Sequence, residues 1–211
     1  MSEKNDSRTL ADIAKQIEGA KLPPVHSWNP AHEDSIDISI KTDGSWHYQG
    51  SPISRAPIVK LFSGILRRDN LENHFPQWYC TGEVQKGNTA GAGYSLVTPA
   101  EKLSIHVEDA PFVGVSIELF EAVDSARRTL MITTNIGDQV IVDENHPVHV
   151  HYDSDEADPR PYVLVRDDLP ALLSRAVWHQ LVDLAAEYGE LKNGQFGLLS
   201  AGTFIALGTA V

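Results

Sequence analysis

The chain alternates apolar and polar positions over much of its length. Ile36, Ile38 and Ile40 alternate with polar neighbours from Ser35 to Lys41, which predicts a half-buried strand. Asp43-Gly44 follows and leads into Trp46 and Tyr48, a strong signal for a hairpin. Gly50-Ser51-Pro52 ends the second strand. Further strands are predicted over residues 94–97, 103–109, 113–120, 128–135, 139–142, 148–152 and 162–165, with Leu198-Leu199 and residues 203–207 closing the chain.

Helical spacing is rarer. Leu10, Ile13, Ala14 and Ile17 give a narrow apolar stripe, stopped by Gly19 and Pro23-Pro24. Ser54 as cap and Pro57 in the first turn predict a helix that buries Ile58, Leu61, Phe62, Ile65 and Leu66. Asp168 as cap and Pro170 predict the clearest helix. Its stripe runs through Leu169, Leu172, Leu173, Ala176, Val177, Leu181, Leu184 and Ala185, with Arg175 and Trp178 off centre, and Gly189 ends it. Strands thus precede helices in two successive segments. Each segment runs strand, Asp-Gly or Gly-Asp turn, strand, proline, then helix. The order predicts an α+β fold of two similar strand-rich units, an internal duplication, each unit with a packed helix. The expected division is an N-terminal helix and linker (1–24), a first unit (25–112) with an inserted loop (70–93), and a second unit (113–211).

Composition narrows the function. The 17 basic and 29 acidic side chains among 211 residues leave a net charge of −12. That argues against a general binder of nucleic acid or anionic membrane, which needs a basic surface. A small anion held by a few arginines stays open. One cysteine, Cys80, excludes an internal disulfide framework and fits a reducing compartment. No signal-peptide pattern precedes residue 10 and no run is long enough to span a bilayer, so a cytoplasmic location is expected.

The stretch Val107-Glu108-Asp109-Ala110-Pro111-Phe112 divides the two units. Alternation sends Glu108 and Asp109 to opposite faces, so one carboxylate turns inward and needs a partner. Asp109 either caps a turn before Pro111 or serves a ligand or buried pair. Arg55 stands in the first turn of a predicted helix, where the macrodipole disfavours a cation unless an anion answers it. The glycine-rich run from Gly87 to Gly93 lacks the strand before it and the helix after it that a phosphate cradle needs. Cys80 has no local activating base and reads as a packed or idle thiol. His149 and His151 share a strand face, with Glu156 following, and resemble the first metal motif of cupins. The preceding glycine and a second motif are missing, and the surrounding acids read as a solvated loop beside an edge strand. No Gly-x-Ser-x-Gly elbow is present.

Several strings taken together resemble the bacterial domain-of-unknown-function family 1285. They are Asp43-Gly44-Ser45-Trp46, Pro52-Ile53-Ser54-Arg55, residues 61–66, residues 94–102, residues 107–112 and Arg160-Pro161-Tyr162-Val163-Leu164-Val165-Arg166, with the helix that carries Arg175. The resemblance implies an α+β fold with a duplicated core and a C-terminal unit of pleckstrin-homology-like outline. It also implies ligand binding in signalling, of a nucleotide or similar molecule, at the junction of the units. The chain departs from the family pattern at residues 70–93, where an inserted loop could cover or alter a junction site.

The expected function is therefore a non-enzymatic, ligand-responsive module without a cofactor. Its small anionic, nucleotide-like ligand would meet Arg55, Thr98, Glu108, Asp109, Arg166 and Arg175. The same arginines could instead pair with Glu108 and Asp109 to fix the junction. Two rival readings are a metal-dependent enzyme built on His149, His151 and Glu156, and an adaptor whose partner is another protein.

Overall fold

The computed structural model describes residues 22–69, 93–121, 128–152 and 158–209. The stretch 10–17, Cys80, Gly87 to Ala92 and Glu156 lie outside them.

The first unit contributes β1 (His32–Ile40), β2 (Trp46–Tyr48), β3 (Ser51–Pro52), α1 (Ala56–Gly64), β4 (Leu66–Arg68), β5 (Tyr94–Val97) and β6 (Glu101–Val107). They form one sheet in the order β3-β2-β1-β6-β5-β4. The second unit contributes β7 (Phe112–Glu121), β8 (Arg128–Thr134), β9 (Gln139–Ile141), β10 (Val148–His151), β11 (Arg160–Arg166) and β12 (Leu169–Leu173). Read from its far edge, that sheet runs β9-β8-β7-β12-β11-β10. Both units therefore share one topology: two antiparallel meanders meet at a central parallel pair made by the first and last strands, β1 with β6 and β7 with β12. The duplication expected from element order holds at the level of strand connection.

Helix α2 (Arg175–Tyr188) and the meander β13 (Glu190–Lys192), β14 (Gln195–Ser200) and β15 (Thr203–Thr209) complete the second unit. Two sheets and one helix make up this unit. The fully buried Ser200 staples the two sheets: its hydroxyl accepts from Leu130 N–H at 2.9 Å and donates to Val142 O at 2.6 Å.

Both helices start later than their expected caps. Leu169–Leu173 is strand β12, not the first turn of a helix, because it pairs with β11 on one side and β7 on the other. Ser174 caps α2 instead, accepting from Val177 N–H. Val177, Leu181 and Ala185 form the buried stripe at spacings of four, as an amphipathic helix requires. Arg55, not Ser54, occupies the cap position of α1 and supplies no side-chain bond; Pro57 sits in the first turn. Leu61 faces solvent at 63% exposure, so the face of α1 that packs on the core is Val59 and Phe62. Phe62 lies 6.1 Å, centroid to centroid, from Trp46.

One apolar core runs through both units, from Ile38, Ile40 and Trp46 through Val107 and Phe112 to Leu130, Ile132, Leu181 and Ile205. Tyr94 enters it with its phenol buried under the Arg68 guanidinium, 5.2 Å from the ring centroid. Burial pushes the phenol up to about 12. Its neutral form is therefore favoured by folding. The gain is complete below the unfolded value of roughly 10 and is lost as pH rises from there towards about 12, a loss of about 3 kcal/mol. Chemical denaturation across this range should show that decline, and Tyr94→Phe should flatten it; an unchanged slope in the variant would assign the decline elsewhere.

Candidate functional site

The chain passes from one sheet to the other through residues 108–111, and most of the site chemistry gathers on either side of this crossing. Glu108 N–H donates to Ile40 O at 3.0 Å, which extends the parallel pairing by one step. Its carboxylate faces the turn after β1. It accepts from Lys41 Nζ at 2.7 Å, from Thr42 N–H at 3.1 Å and from Thr42 Oγ1 at 3.4 Å. The lysine first, then the Thr42 amide, hold this carboxyl below its ordinary range. Asp109 is the inward member of the pair, with a side chain 11% exposed. It accepts from Arg160 Nη2 at 2.6 Å and from Tyr162 Oη at 2.9 Å. Arg160 and Tyr162 stand two apart on β11, so strand alternation places both on the face that meets Asp109.

Beyond these contacts lies a cavity of about 330 Å³. Thr42 from the first unit and Asp158, Arg160, Leu172, Arg175, Trp178 and His179 from the second line it, with three further residues. Helix α2 presents Arg175, Trp178 and His179 at spacings of three and four, which stack on one side of a helix. Arg175 Nε donates to His179 Nε2 at 3.4 Å. The cavity thus collects two guanidiniums, an imidazole, an indole and the Asp158 carboxylate, with Arg175, Trp178 and His179 contributed by the first turns of α2, whose macrodipole favours an anion.

A second cleft, about 620 Å³, opens where hairpin β2–β3 and the start of α1 meet the turn between β8 and β9. Trp46, Pro52, Ile53, Pro57, Val59 and Ile136 supply its apolar wall; Lys60 is its charged lining residue. Among the described residues the buried Trp46 indole N–H has no acceptor, a deficit worth roughly 1–3 kcal/mol. Beside this cleft the two units are strapped together. Asn135 accepts from Val113 N–H at 3.0 Å and donates to Gly44 O at 3.2 Å. Lys60 Nζ donates to Ile136 O at 2.9 Å and to Asp138 Oδ1 at 2.5 Å. The other Asp138 oxygen takes Arg166 Nη1, whose Nη2 donates to Ser63 O at 2.8 Å. The Arg166 guanidinium also lies over the Phe112 ring, 4.9 Å from its centroid. Burial first, then the nearby Arg166 charge, lowers the Lys60 ammonium below its ordinary value.

The six residues singled out by sequence do not share one cavity. Glu108, Asp109 and Arg175 converge on the smaller one, the two acids through Thr42 and Arg160. Arg166 is the strut between units and pairs with Asp138 rather than with Glu108 or Asp109. Arg55 is exposed at the cap of α1, on the rim of the larger cleft between its lining residues Ser54 and Ala56. Thr98 closes the turn between β5 and β6, its hydroxyl accepting from Glu101 N–H at 3.1 Å. His149 and His151 stand on β10, and burial lowers the His149 imidazole. Among the described residues no three His, Cys, Asp or Glu side chains converge to hold a metal ion. Arg160, Trp178 and His179 were not among the site residues expected from the sequence, although the spacing of Arg175, Trp178 and His179 on any helix that holds them would have shown one cluster.

Residues 23–76 match the domain of unknown function DUF1285, N-terminal domain, and residues 111–207 match the protein of unknown function DUF1285, C-terminal domain. A DUF1285 family protein from Silicibacter pomeroyi DSS-3, known from a crystal structure, is similar over 96% of both chains, with 37% identity and a TM-score of 0.72. One from Shewanella baltica OS155 shows 24% identity over 69% of this chain and 90% of that one, with a TM-score of 0.45. No curated protein matches. Both halves of the family pattern, joined at the Glu108–Pro111 crossing, are present in sequence and in structure, and the chain belongs to the DUF1285 family.

Proposed function

We propose that the protein is a non-enzymatic ligand-binding module whose ligand is a small phosphorylated, nucleotide-like anion seated in the cavity at the start of α2. The observation that carries this reading is the convergence of Arg160, Arg175, His179 and Trp178 on one open cavity. Arg175 and His179 contact the phosphoryl group, for which a guanidinium fork is suited. A planar base or ring lies against Trp178. Asp109 holds Arg160 in orientation, and Glu108 holds the Thr42 backbone in place. The acidic surface of the whole protein disfavours polyanions such as nucleic acid, while a single small anion at the cavity is offered Arg175 and the N-terminal turn of α2, against Asp158 in the same wall.

Because the cavity is lined by Thr42 from one unit and by β11, β12 and α2 from the other, an occupied site ties the units together. This is the element of the reading that suits a regulatory role.

Calorimetric titration with inorganic phosphate, mononucleotides and cyclic nucleotides tests the assignment. Arg175 is exposed, so Arg175→Ala should leave stability within about 0.5 kcal/mol. The same change should weaken a bound nucleotide by about 1.5–3 kcal/mol, tenfold or more. Equal affinity in the variant, or no binding by any of these anions, would refute the site.

A further inference from the structure

The larger cleft differs in kind from the cavity at α2. Its wall is apolar on several sides, and its volume of about 620 Å³ lies within the range that small-molecule pockets occupy. The charge at its wall and rim is cationic, from Lys60 and Arg55, while Ser45 and Ser54 add hydroxyls. The indole N–H of Trp46, buried behind this wall, finds no acceptor among the described residues. Lys60 Nζ carries three donor positions, of which Ile136 O and Asp138 take two. Arg55 stands exposed at the rim, at the N-terminus of α1, and makes no ion pair among the described residues. Asn135, the lining amide, has both its oxygen and its nitrogen committed to the strap between the units. The cleft thus sets cationic donors beside an apolar wall.

We propose that this junction cleft binds a second ligand, a small planar carboxylic acid. Its ring lies against Trp46, Pro52, Pro57 and Ile136, and its carboxylate faces Lys60 and Arg55. Phosphate esters are disfavoured, since two charges would enter a wall whose one ammonium is already shared with Asp138. The acid instead supplies a single charge and two acceptor oxygens. Because Lys60 and Asn135 hold the β8–β9 turn against the first unit, the ligand also becomes part of the contact between units.

The four tryptophans allow both sites to be read in one experiment. Trp46 lines this cleft and Trp178 lines the cavity at α2. Their indole N–H signals, assigned by single Trp→Phe replacements, are followed in nitrogen–proton correlation spectra during titration with benzoate, benzamide and inorganic phosphate. Benzoate should move the Trp46 signal in a saturable manner. Benzamide, of the same shape without the charge, should bind about tenfold or more weakly. Ala56→Phe places a ring across the exposed rim of the cleft and should abolish the benzoate response while leaving the other indole signals in place; Arg55→Ala should weaken it. A Trp46 signal that benzoate leaves unmoved, an equal response to benzamide, or a response that survives Ala56→Phe would each overturn the proposal. Phosphate reports separately on the α2 cavity through Trp178, so either site can fail without the other.

Discussion

Arg166→Ala should lower stability by about 3 kcal/mol, the lower end of what breaking a buried ion pair costs. The side chains of Arg166 and Asp138 are 14% and 18% exposed, so neither partner regains full hydration when the other is lost. The variant strips Asp138 of one cation, leaves Ser63 O without its donor and removes the cation from the Phe112 face. Lys60 keeps its hold on the other Asp138 oxygen, which limits the loss. For a chain of this length the melting temperature should fall by about 6–12 °C. A double replacement that also turns Asp138 into Leu should lose less than the sum of the two single changes, because it removes the stranded carboxylate as well. A fall under about 1 kcal/mol in Arg166→Ala would show the strut to be exposed and screened in solution.

Gly44→Ala should cost about 3 kcal/mol, for two separate reasons. The residue has φ +79°, a conformation that costs an L side chain roughly 1–2 kcal/mol. Its new Cβ would then lie 2.5 Å from Asn135 Nδ2 and 2.9 Å from Val113 Cγ2, so the strap must shift. Gly50 has φ +74° but nothing within 4 Å of a Cβ, so Gly50→Ala should show the conformational part alone. The difference between the two variants in denaturant midpoint measures the docking of the β1–β2 turn onto the second unit. Equal losses would mean that the turn does not press on Asn135.

The sequence made the strands legible because each buries one face, and period-two alternation follows directly. Ile36-Ile38-Ile40 follow this rule; the run from Val113 to Leu119 does so only in part, because a register shift between Gly114 and Ser116 leaves Val115 49% exposed. Strand β12 was misread as helix because Leu169-Pro170-Ala171-Leu172-Leu173 is nearly all apolar. A strand covered on both faces loses its alternation and looks like a helical stripe. That one error also moved Arg175 from the first turn of the helix to its middle. The inward turn of Asp109 was legible from alternation, but its partners were not, because Arg160 and Tyr162 reach it from a strand some fifty positions later. Arg166 was recognised as a charged residue of the junction. Its partner, Asp138, lies in a turn whose approach to α1 is set by tertiary packing alone.

The central parallel pairs also set a timetable for synthesis. In each unit the strand made first waits for the strand made last: His32 pairs with Glu101, and Phe112 with Ala171. Neither sheet can close while its unit is still emerging from the ribosome, and the loop-closure entropy falls due only at the end. The hairpin of β1 and β2 can form early, but the edge of β1 that β6 will cover stays open until most of the first unit has been made. Nascent chains are most exposed to strand-to-strand association in that interval. The polar residues at the start of β1, His32-Glu33-Asp34-Ser35, stand along that open edge and discourage pairing between chains until β6 arrives.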